Sequence, residues 1–229
     1  SLQAPDSMGR TPLMLACHYG HTLPVQQLLT TSAAPGHPPV DLNVKDSDGD
    51  TALHHACGNG HTDVVKLLLA HPSEPPLNLN AANTDGQTAL HLASRSGSVD
   101  IVQALLAYPG HPPIDLHIKD GSDDTALHCA CRHGRTDVAK LLLAHPSEPP
   151  LNLNAANENG QTALHLASRQ GSVNIVQALL NHPGHPPVDL HIKDSDGHTA
   201  LHVACGNGHT DIAKLLLAHP SEPPLNLNA

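Results

Sequence analysis

The chain has 229 residues with no Trp, no Phe and only two Tyr, but 21 Pro and 21 His. Its net charge is −10 with histidine neutral, and its 11 Lys and Arg residues are too few for the phosphate contacts of a nucleic-acid-binding protein. The five cysteines form no Cys-x-x-Cys pair, which argues against a disulfide or zinc framework, and no apolar run approaches the length of a membrane span. A core without large aromatic residues must be filled by Leu, Val, Ile and Ala, which suits thin layers stacked many times.

An internal repeat organises the chain. A Thr-Ala-Leu-His string recurs every 37 residues, and a variant, Thr-Pro-Leu-Met, begins 40 residues before the first of them. The threonines that open these strings, called the cap threonines below, are Thr11, Thr51, Thr88, Thr125, Thr162 and Thr199. The pattern predicts six repeats, numbered 1 to 6, over residues 6–45, 46–82, 83–119, 120–156, 157–193 and 194–229. Neighbouring repeats alternate in sequence, so the chain consists of three double repeats.

Within repeat 2 the elements follow in the order tip, helix, turn, helix, loop. Residues 47–50 give a turn signal, and Thr51 is a predicted N-cap because its hydroxyl can accept a hydrogen bond from a backbone N–H at the helix start. Apolar residues on one face predict a short first helix, which residues 58–60 end, and a second helix that stops before Pro72. Neither helix can bury its apolar face alone, so adjacent repeats must pack against each other.

These residues resemble the ankyrin repeat, which has the pattern D-x-x-G-x-T-P-L-H-x-A, a first helix ended by Gly and a second helix with paired Leu. The resemblance covers essentially the whole chain. It implies an all-α fold, an ankyrin-repeat solenoid in a single domain over residues 1–229, with six helix-turn-helix repeats joined by β-hairpin-like tips and long Pro-rich loops. Two features depart from the family: Asp123 takes a turn-glycine position in repeat 4, and each repeat is about four residues longer than the family's 33. The added residues of repeat 2 align with 71–76.

The long loops share a Pro-x-x-Pro-Pro pattern that contains 18 of the 21 prolines. Proline restricts its own φ and favours extended backbone in the preceding residue, so a longer loop stays stiff. We expect the loops to pack as a rigid ridge along one edge, and the ridge is itself a candidate ligand surface. An SH3-type ligand is disfavoured because the copies would be packed together. The patterns begin at Pro35, Pro72, Pro109, Pro146, Pro183 and Pro220.

Histidines recur at two places in the repeat. The resemblance implies that one set, three residues after the cap threonines, forms hydrogen bonds within and between repeats as structural pegs: His54, His91, His128, His165 and His202. The other set lies in the loops, where neutral imidazoles could bind zinc or nickel: His37, His71, His111, His145, His185 and His219. The repeat spacing keeps the members of each set apart, so we predict neither a metal nor a cofactor.

Four cysteines, Cys17, Cys57, Cys131 and Cys205, occupy one position inside the first helix and are predicted to be small buried hydrophobic residues. Unpaired cysteines and the absence of any sequon for N-glycosylation favour a reducing, cytoplasmic location.

In ankyrin proteins, partners usually lie against the hairpin tips and the end of the first helix. The matching positions predict the following partner-binding residues: Arg10, His18, Tyr19, Asp48, Asp50, Asn59, Arg95, Ser96, Arg132, His133, Glu158, Arg169, Gln170 and His198. Three of them, Arg95, Arg132 and Arg169, recur at one position of the middle repeats. Two interpretations stay open for these arginines: they pair with the acidic tips, where each pair contributes little, or they bind carboxylates or carbonyls of a peptide.

The sequence contains none of the motifs of nucleophilic, phosphoryl-transfer or metalloprotease catalysis, so we predict that the chain is not an enzyme. We expect a protein-interaction scaffold that binds a protein or peptide through the concave groove and tips or through the loop ridge. The alternative is a structural spacer in a larger repeat protein. Segments that lie 74 residues apart are nearly identical, which fits either tandem duplication or consensus engineering. Sequence differences at framework positions favour duplication.

We also expect a monomer whose self-association, where it occurs, is weak and head-to-tail. In that association Leu201, Ile212 and Leu216 of the last repeat would meet the first repeat of another copy.

Overall fold

The computed structural model describes residues 4–32, 40–110, 112–183 and 186–220. Over these ranges it contains twelve α-helices and no β-strand, two helices for each of the six predicted repeats, which confirms the all-α prediction. The helices are α1 Pro12–His18, α2 Thr22–Ser32, α3 Ala52–Gly58, α4 Thr62–Ala70, α5 Ala89–Ser96, α6 Val99–Leu106, α7 Ala126–Arg132, α8 Thr136–Ala144, α9 Ala163–Gln170, α10 Val173–Leu180, α11 Ala200–Gly206 and α12 Thr210–Ala218.

Residue contacts divide the chain into two compact units of three repeats each, Ser1–Gly121 and Ser122–Ala229. In the N-terminal unit the first helices α1, α3 and α5 pack in one layer, and the second helices α2, α4 and α6 pack in another. The C-terminal unit repeats this arrangement with α7, α9 and α11 in one layer and α8, α10 and α12 in the other. The prediction of one domain over 1–229 stays a prediction.

The first helices begin at the cap threonines, as predicted. The Thr51 hydroxyl accepts from the backbone N–H of His54, and the Thr51 N–H donates to Nδ1 of the His54 ring at 3.2 Å. This reciprocal capping box gives hydrogen-bond acceptors to two backbone N–H groups, those of Thr51 and His54, which a helix start would otherwise leave unpaired. The core is thin and aliphatic, with Leu53, Leu68 and Val65 at 1% exposure or less in repeat 2.

The histidine pegs join neighbouring repeats inside each unit. Because Nδ1 of His54 accepts a hydrogen bond, its Nε2 carries the proton and donates to the Gln87 carbonyl of the next repeat at 3.0 Å. His165 makes the same contact with the His198 carbonyl at 3.1 Å in the C-terminal unit. His54, His91, His128 and His165 are 1–2% exposed, whereas His202 of the last repeat is exposed.

The tips are joined backbone to backbone. In the N-terminal unit the N–H groups of Ser47 and Thr84 donate to the carbonyls of Met8 and Asp48, each at 2.9 Å. Gly49, at φ +76°, approaches the next tip so closely that a Cβ there would lie 2.8 Å from the Thr84 nitrogen, so this position needs glycine.

Asp123 occupies that turn-glycine position in repeat 4 and has φ +60°, in the left-handed region, where a residue with a side chain costs about 1–2 kcal/mol.

Asparagine side chains connect the loops of neighbouring repeats. In Asn80 the Nδ2 group donates to the Pro113 carbonyl at 2.8 Å, and the Oδ1 atom accepts from the Asp115 N–H at 2.9 Å. Asn43 in the N-terminal unit and Asn154 in the C-terminal unit bridge to the next loop in the same way. Side-chain bridges thus connect neighbouring loops inside each unit, and a rigid ridge along one edge stays a prediction. The predictions for Pro35, His37, His111, His185, Pro223 and Pro224 lie outside the described residues.

None of the five cysteines forms a disulfide bond. Burial is confirmed for Cys17, Cys57 and Cys131, each at 0% exposure, and it raises the pKa of the Cys17 thiol to about 12. The prediction was wrong for Cys205, which is exposed because it lies in the last repeat, where no described repeat follows to cover its face.

Candidate protein-interaction surface

Two positions of the repeat define the candidate surface. The tip position lies three residues before each cap threonine, and the helix-end position lies eight residues after it. The tip residues are Met8, Asp48, Asp85, Ser122, Asn159 and Asp196, and the helix-end residues are Tyr19, Asn59, Ser96, His133, Gln170 and Asn207. Of the predicted site residues, the N-terminal unit holds Arg10, His18, Tyr19, Asp48, Asp50, Asn59, Arg95 and Ser96, and the C-terminal unit holds Arg132, His133, Glu158, Arg169, Gln170 and His198.

A group of rings marks the N-terminal unit. The Tyr19 side chain is 62% exposed, and its ring stands edge-on to His18 at 4.9 Å and stacks on His21 at 5.9 Å between centroids. The His18 ring is also edge-on to His55 at 5.4 Å. These contacts hold Tyr19 in place on the open surface, where a tyrosine can bury much area at little entropic cost.

The electrostatic setting of these rings is defined by a few neighbours. The His55 Nε2 atom lies 2.9 Å from Oδ2 of Asp46, whose side chain is nearly buried. Partial burial lowers the pKa of His18, and the positive fields of His55, Arg10 and His61 lower it further. His18 is therefore a neutral imidazole at neutral pH.

The charged residues at the tips of the N-terminal unit differ in their pairing. Arg10 pairs with Asp6 at 2.9 Å. The hydrogen bond from the Arg10 backbone N–H lowers the pKa of Asp6 most, and the Arg10 guanidinium and the Met8 N–H lower it further. Asp50 accepts from the Asn83 amide at 2.8 Å. By contrast, the carboxylates of Asp48 and Asp85 are exposed and bond to no described residue.

Two further predicted residues of this unit bond to their own helix ends, and the Asn59 amide also lies 3.4 Å from Nδ1 of His18 in the preceding repeat. The Asn59 amide donates to the His55 carbonyl at 2.9 Å, and the Ser96 hydroxyl donates to the Ala93 carbonyl at 3.0 Å. Asn59 is exposed, and Ser96 and Arg95 are half-buried.

Arg132 is tied to its own repeat. Its guanidinium donates to Oδ2 of Asp124 from Nη2 at 2.6 Å and from Nε at 3.2 Å. The Asp124 side chain is 7% exposed, and its Oδ1 atom also accepts from the Asn157 amide at 2.8 Å. A charge-assisted pair with a buried carboxylate is among the stronger polar contacts in proteins, so the Arg132 guanidinium is largely engaged within its own repeat.

Arg169 holds the same position one repeat later and faces Gln161. With the Gln161 amide oxygen turned toward it, that oxygen accepts from the guanidinium at 2.6 and 3.2 Å. Gln170 and Glu158 are exposed, and the exposed His133 ring contacts the Cys129 carbonyl at 3.0 Å. The His198 ring lies 6.0 Å from that of His202.

Sequence reasoning missed His55 and did not assign to Arg132 and Arg169 their individual partners, Asp124 and Gln161. His55 lies four residues after its cap threonine, and Asp124 and Gln161 lie directly before theirs. The available signal was chemical: in repeats 3, 4 and 5 an acid or amide directly before the cap threonine occurs together with Arg seven residues after it.

Two groups of potential metal ligands lie within the tips, Asp46 with Asp50 and His55, and Asp194 with Asp196 and His198, each with atoms within 4.8 Å. Hydrogen bonds account for the first group, since Asp46 caps its turn and pairs with His55. In the second group Asp194 Oδ2 is buried without a partner. Asp194 occupies the repeat position of Asn83 and Asn157. Each of these asparagines donates to the residue directly before the cap threonine of the preceding repeat. For Asp194 the corresponding residue is Gln161. The absence of a metal stays a prediction.

Family comparison agrees with this architecture. A family model described as ankyrin repeats (3 copies) matches residues 2–75, 25–120 and 111–194, and one described as ankyrin repeats (many copies) matches 185–227. The chain belongs to the ankyrin-repeat family, whose repeats generally mediate protein–protein interaction and are typically non-catalytic.

Individual relatives are similar over part or most of the chain. The human SMC5-SMC6 complex localization factor protein 1 is 44% identical over 70 residues, which are 31% of this chain and 6% of that protein. The chain thus spans a small part of its curated relatives. The crystal structure of the Bcl-3 ankyrin repeat domain, a member of the IkappaB family, is 27% identical with a TM-score of 0.72, covering 93% of this chain and 87% of that one.

A chain from a complex of the Bdellovibrio bacteriovorus endopeptidase Bd0816 with the immunity protein Bd3460 is 28% identical with a TM-score of 0.71, covering 93% of this chain and 98% of that one. In the described part of the present chain, every helix is too short or too polar to cross a lipid bilayer.

Proposed function

We propose that this chain is a non-catalytic protein-binding module whose partner lies against the tips and the helix ends. The observation that carries the proposal is that the cap position keeps one residue type in every repeat whereas the helix-end position does not. The cap position is threonine in all six repeats, whereas the helix-end position carries Tyr, Asn, Ser, His, Gln and Asn. An ordered scaffold that presents different side chains at one exposed position is suited to recognition of an irregular protein surface.

The charges of this surface favour a cationic partner segment. The guanidiniums of Arg10, Arg132 and Arg169 are bonded inside their own repeats. The carboxylates of Asp48, Asp85, Glu158 and Asp196 are exposed and make no hydrogen bond to a described residue. Of the two interpretations of the arginines, we therefore favour pairing within the fold, with the tip acids facing the partner's Lys or Arg.

Site-specific photo-crosslinking tests the proposal. A photoreactive residue is placed at Tyr19 or Asp48 on the proposed surface, and at the exposed Asp63 on α4 as the matched control. We expect a discrete crosslinked product from the first two positions and none from Asp63 after incubation with cell extract. Products of equal yield from all three positions would overturn the proposal, and no product from any position would favour the spacer.

The loop ridge is the second candidate surface, because a shallow cleft of about 480 Å³ opens between the ends of α8 and α10. The lining of this cleft is mostly apolar and includes Leu143, Ala178 and His182. A photoreactive residue at Lys140, on the rim of this cleft, reports on it in the same experiment.

We further propose a reducing, cytoplasmic compartment. Three thiols are fully buried and unpaired, an arrangement that oxidising compartments rarely preserve.

A further inference from the structure

The cleft between the ends of α8 and α10 combines apolar residues with a single charged group. Its volume of about 480 Å³ lies in the range of about 300–1,000 Å³ that is usual for ligand-binding clefts. Leu143 and Ala178 are part of its apolar lining, and its polar groups come from Lys140, Asn181 and His182. The described residues that line it include no carboxylate, although the net charge of the chain is −10. The cleft is therefore a positively charged site on an acidic chain.

The Lys140 ammonium is the charge that this cleft offers to a ligand. Lys140 is exposed, and its side chain bonds to no described residue. Lys214, at the same position of repeat 6, instead lies 3.6 Å from the carboxylate of Asp211 on its own helix. An ammonium group has three N–H donors and no acceptor, so its preferred ligand is an anionic oxygen. Charge complementarity thus favours an anionic group in the cleft.

Histidine rings bond to helix-end carbonyls that would otherwise disfavour an anion. Carbonyl groups at the C-terminus of a helix carry partial negative charge. The His182 Nε2 atom donates to the Leu143 carbonyl at 2.9 Å, and the His219 Nε2 atom donates to the Leu180 carbonyl at 3.3 Å. These hydrogen bonds reduce the partial negative charge at the ends of both helices, and the first of them fixes the His182 ring in the lining.

Asn181 adds a donor and an acceptor to the same cleft. It caps α10, it is exposed, and its side-chain amide bonds to no described residue. Such an amide can accept from a peptide N–H and donate to a carbonyl or carboxylate oxygen. Repeat 2 has a lysine at the position of Lys140, namely Lys66, but repeat 3 has Ala107 at the position of Asn181. The combination of lysine and amide therefore occurs where repeats 4 and 5 meet.

The apolar face predicted for head-to-tail association does not form a comparable site. The sequence-based face of Leu201, Ile212 and Leu216 needs correction, because Ile212 and Leu216 are 0% and 1% exposed and pack inside the C-terminal unit. Weak self-association stays a prediction.

We propose that the cleft binds the C-terminal residue of a partner polypeptide that ends in an apolar side chain. That side chain packs against Leu143 and Ala178, the terminal carboxylate pairs with Lys140, and the Asn181 amide bonds to the last peptide group. The cleft is shallow, which suits one residue at a chain end better than the long alkyl chain of a fatty acid. The inference rests on the proposed role as a protein-binding module, but it does not involve the tips or the helix ends.

Titration with short peptides tests the inference on the 229-residue chain. The probe is N-acetyl-Ala-Leu with a free carboxylate, and NMR amide chemical shifts report its binding. We expect saturable binding with a Kd on the order of 1 mM. The same peptide with a C-terminal amide should bind about fivefold or more weakly, because it lacks the charge that pairs with Lys140. N-acetyl-Ala-Gly should bind about tenfold more weakly, because it has no apolar side chain to bury.

Variants of the chain locate the bound carboxylate. Lys140→Met keeps a long apolar side chain and removes the charge, so it should weaken binding about fivefold or more. Lys66→Met, at the same helix position of repeat 2, is the matched control and leaves binding unchanged. Asn181→Ala should weaken binding too, and alanine is the residue of repeat 3 at this position. All three substituted residues are exposed, and circular dichroism melting checks that each variant keeps its fold.

Several results would overturn the inference: equal affinities of the peptide acid and the peptide amide, equal effects of Lys140→Met and Lys66→Met, or no saturation at a peptide concentration on the order of 10 mM. Isocaproate keeps the branched alkyl chain and the carboxylate but has no peptide group, so equally tight binding of isocaproate would exclude a polypeptide end as the ligand. The crosslinks expected from Tyr19 and Asp48 should persist in Lys140→Met, so a failure of this inference and a failure of the proposed tip surface are distinguishable.

Discussion

At the scale of single residues, the buried histidine pegs connect capping, packing and protonation. His54 and His165 are 2% exposed, and burial, which outweighs the raising effect of nearby carbonyls and carboxylates, lowers the pKa of both. Each ring uses Nδ1 as an acceptor at its own helix start and Nε2–H as a donor to the next repeat. Protonation would place a donor where the cap threonine N–H already donates, so the folded state favours the neutral ring.

This protonation preference makes stability depend on pH. Above pH of about 6.5 the rings are neutral in both states, and below it the unfolded chain binds protons that the folded pegs do not bind. The free energy of unfolding should therefore fall as pH decreases from about 6.5, and the melting temperature should be lower at pH 5 than at pH 7.5. Replacement of the exposed His133 by Gln leaves this dependence unchanged, whereas His54→Gln reduces it. Equal melting temperatures at the two pH values would contradict the account.

The two bonded arginines of the C-terminal unit permit a matched comparison. Arg132 faces the buried carboxylate of Asp124, and Arg169 faces the neutral amide of Gln161. Since a buried charge that loses its partner costs more than an amide does, Arg132→Leu should lower the free energy of unfolding by about 1–3 kcal/mol, and Arg169→Leu by less than about 1 kcal/mol. Urea titration of both variants measures the difference. Equal losses would show that the Asp124 pair has no special role.

At the scale of elements, the long loops are stabilised by asparagine bridges as well as by proline. Asn154 donates to the Pro187 carbonyl and accepts from the Asp189 N–H, both at 2.8 Å, so one side chain holds two points of the following loop. Neighbouring loops are therefore hydrogen-bonded to each other within each unit, as the predicted ridge requires.

Removal of this bridge should be measurable. Asn154→Ala loses two partly exposed hydrogen bonds and should lower the free energy of unfolding by about 1–2 kcal/mol. Asn159→Ala, in an exposed tip whose side chain bonds to no described residue, is the control and should change it by less than about 0.5 kcal/mol. The ridge interpretation fails if the two variants unfold at the same urea concentration.

The elements and the bonds between them differ in how well sequence predicts them. The cap threonines, the glycine breaks and the leucine spacing predicted both helices of each repeat, because these signals act within a few residues of chain. Pairing of the arginines with acidic tips was one of two open interpretations, but the sequence did not assign Asp124 to Arg132. The bonds of His55 with Asp46 and of Asn80 with Pro113 were not predicted, because they depend on which atoms meet once the helices pack. The burial prediction was wrong for Cys205 for a related reason, since a repeated position changes its environment in the last repeat.

At the scale of the whole molecule, six similar repeats yield two compact units with a continuous pattern of local contacts inside each. The carboxylates behind the net charge of −10 have different roles. Buried or paired carboxylates such as Asp124 stabilise the fold, whereas the free tip carboxylates remain available to a partner. The central claim is that these tips form the binding surface and prefer a cationic partner segment.

The most direct test compares two variants with the same change in charge. One neutralises Asp48, Asp85 and Glu158 at the tips by Asp→Asn and Glu→Gln substitution, and the other neutralises Asp63, Asp100 and Asp137 on the second helices. The affinity for the crosslinked partner is measured for both at two salt concentrations. We expect the tip variant to lose about tenfold or more in affinity and most of its salt dependence, and the helix variant to match the unmodified chain. Equal affinities for the two variants would contradict the account.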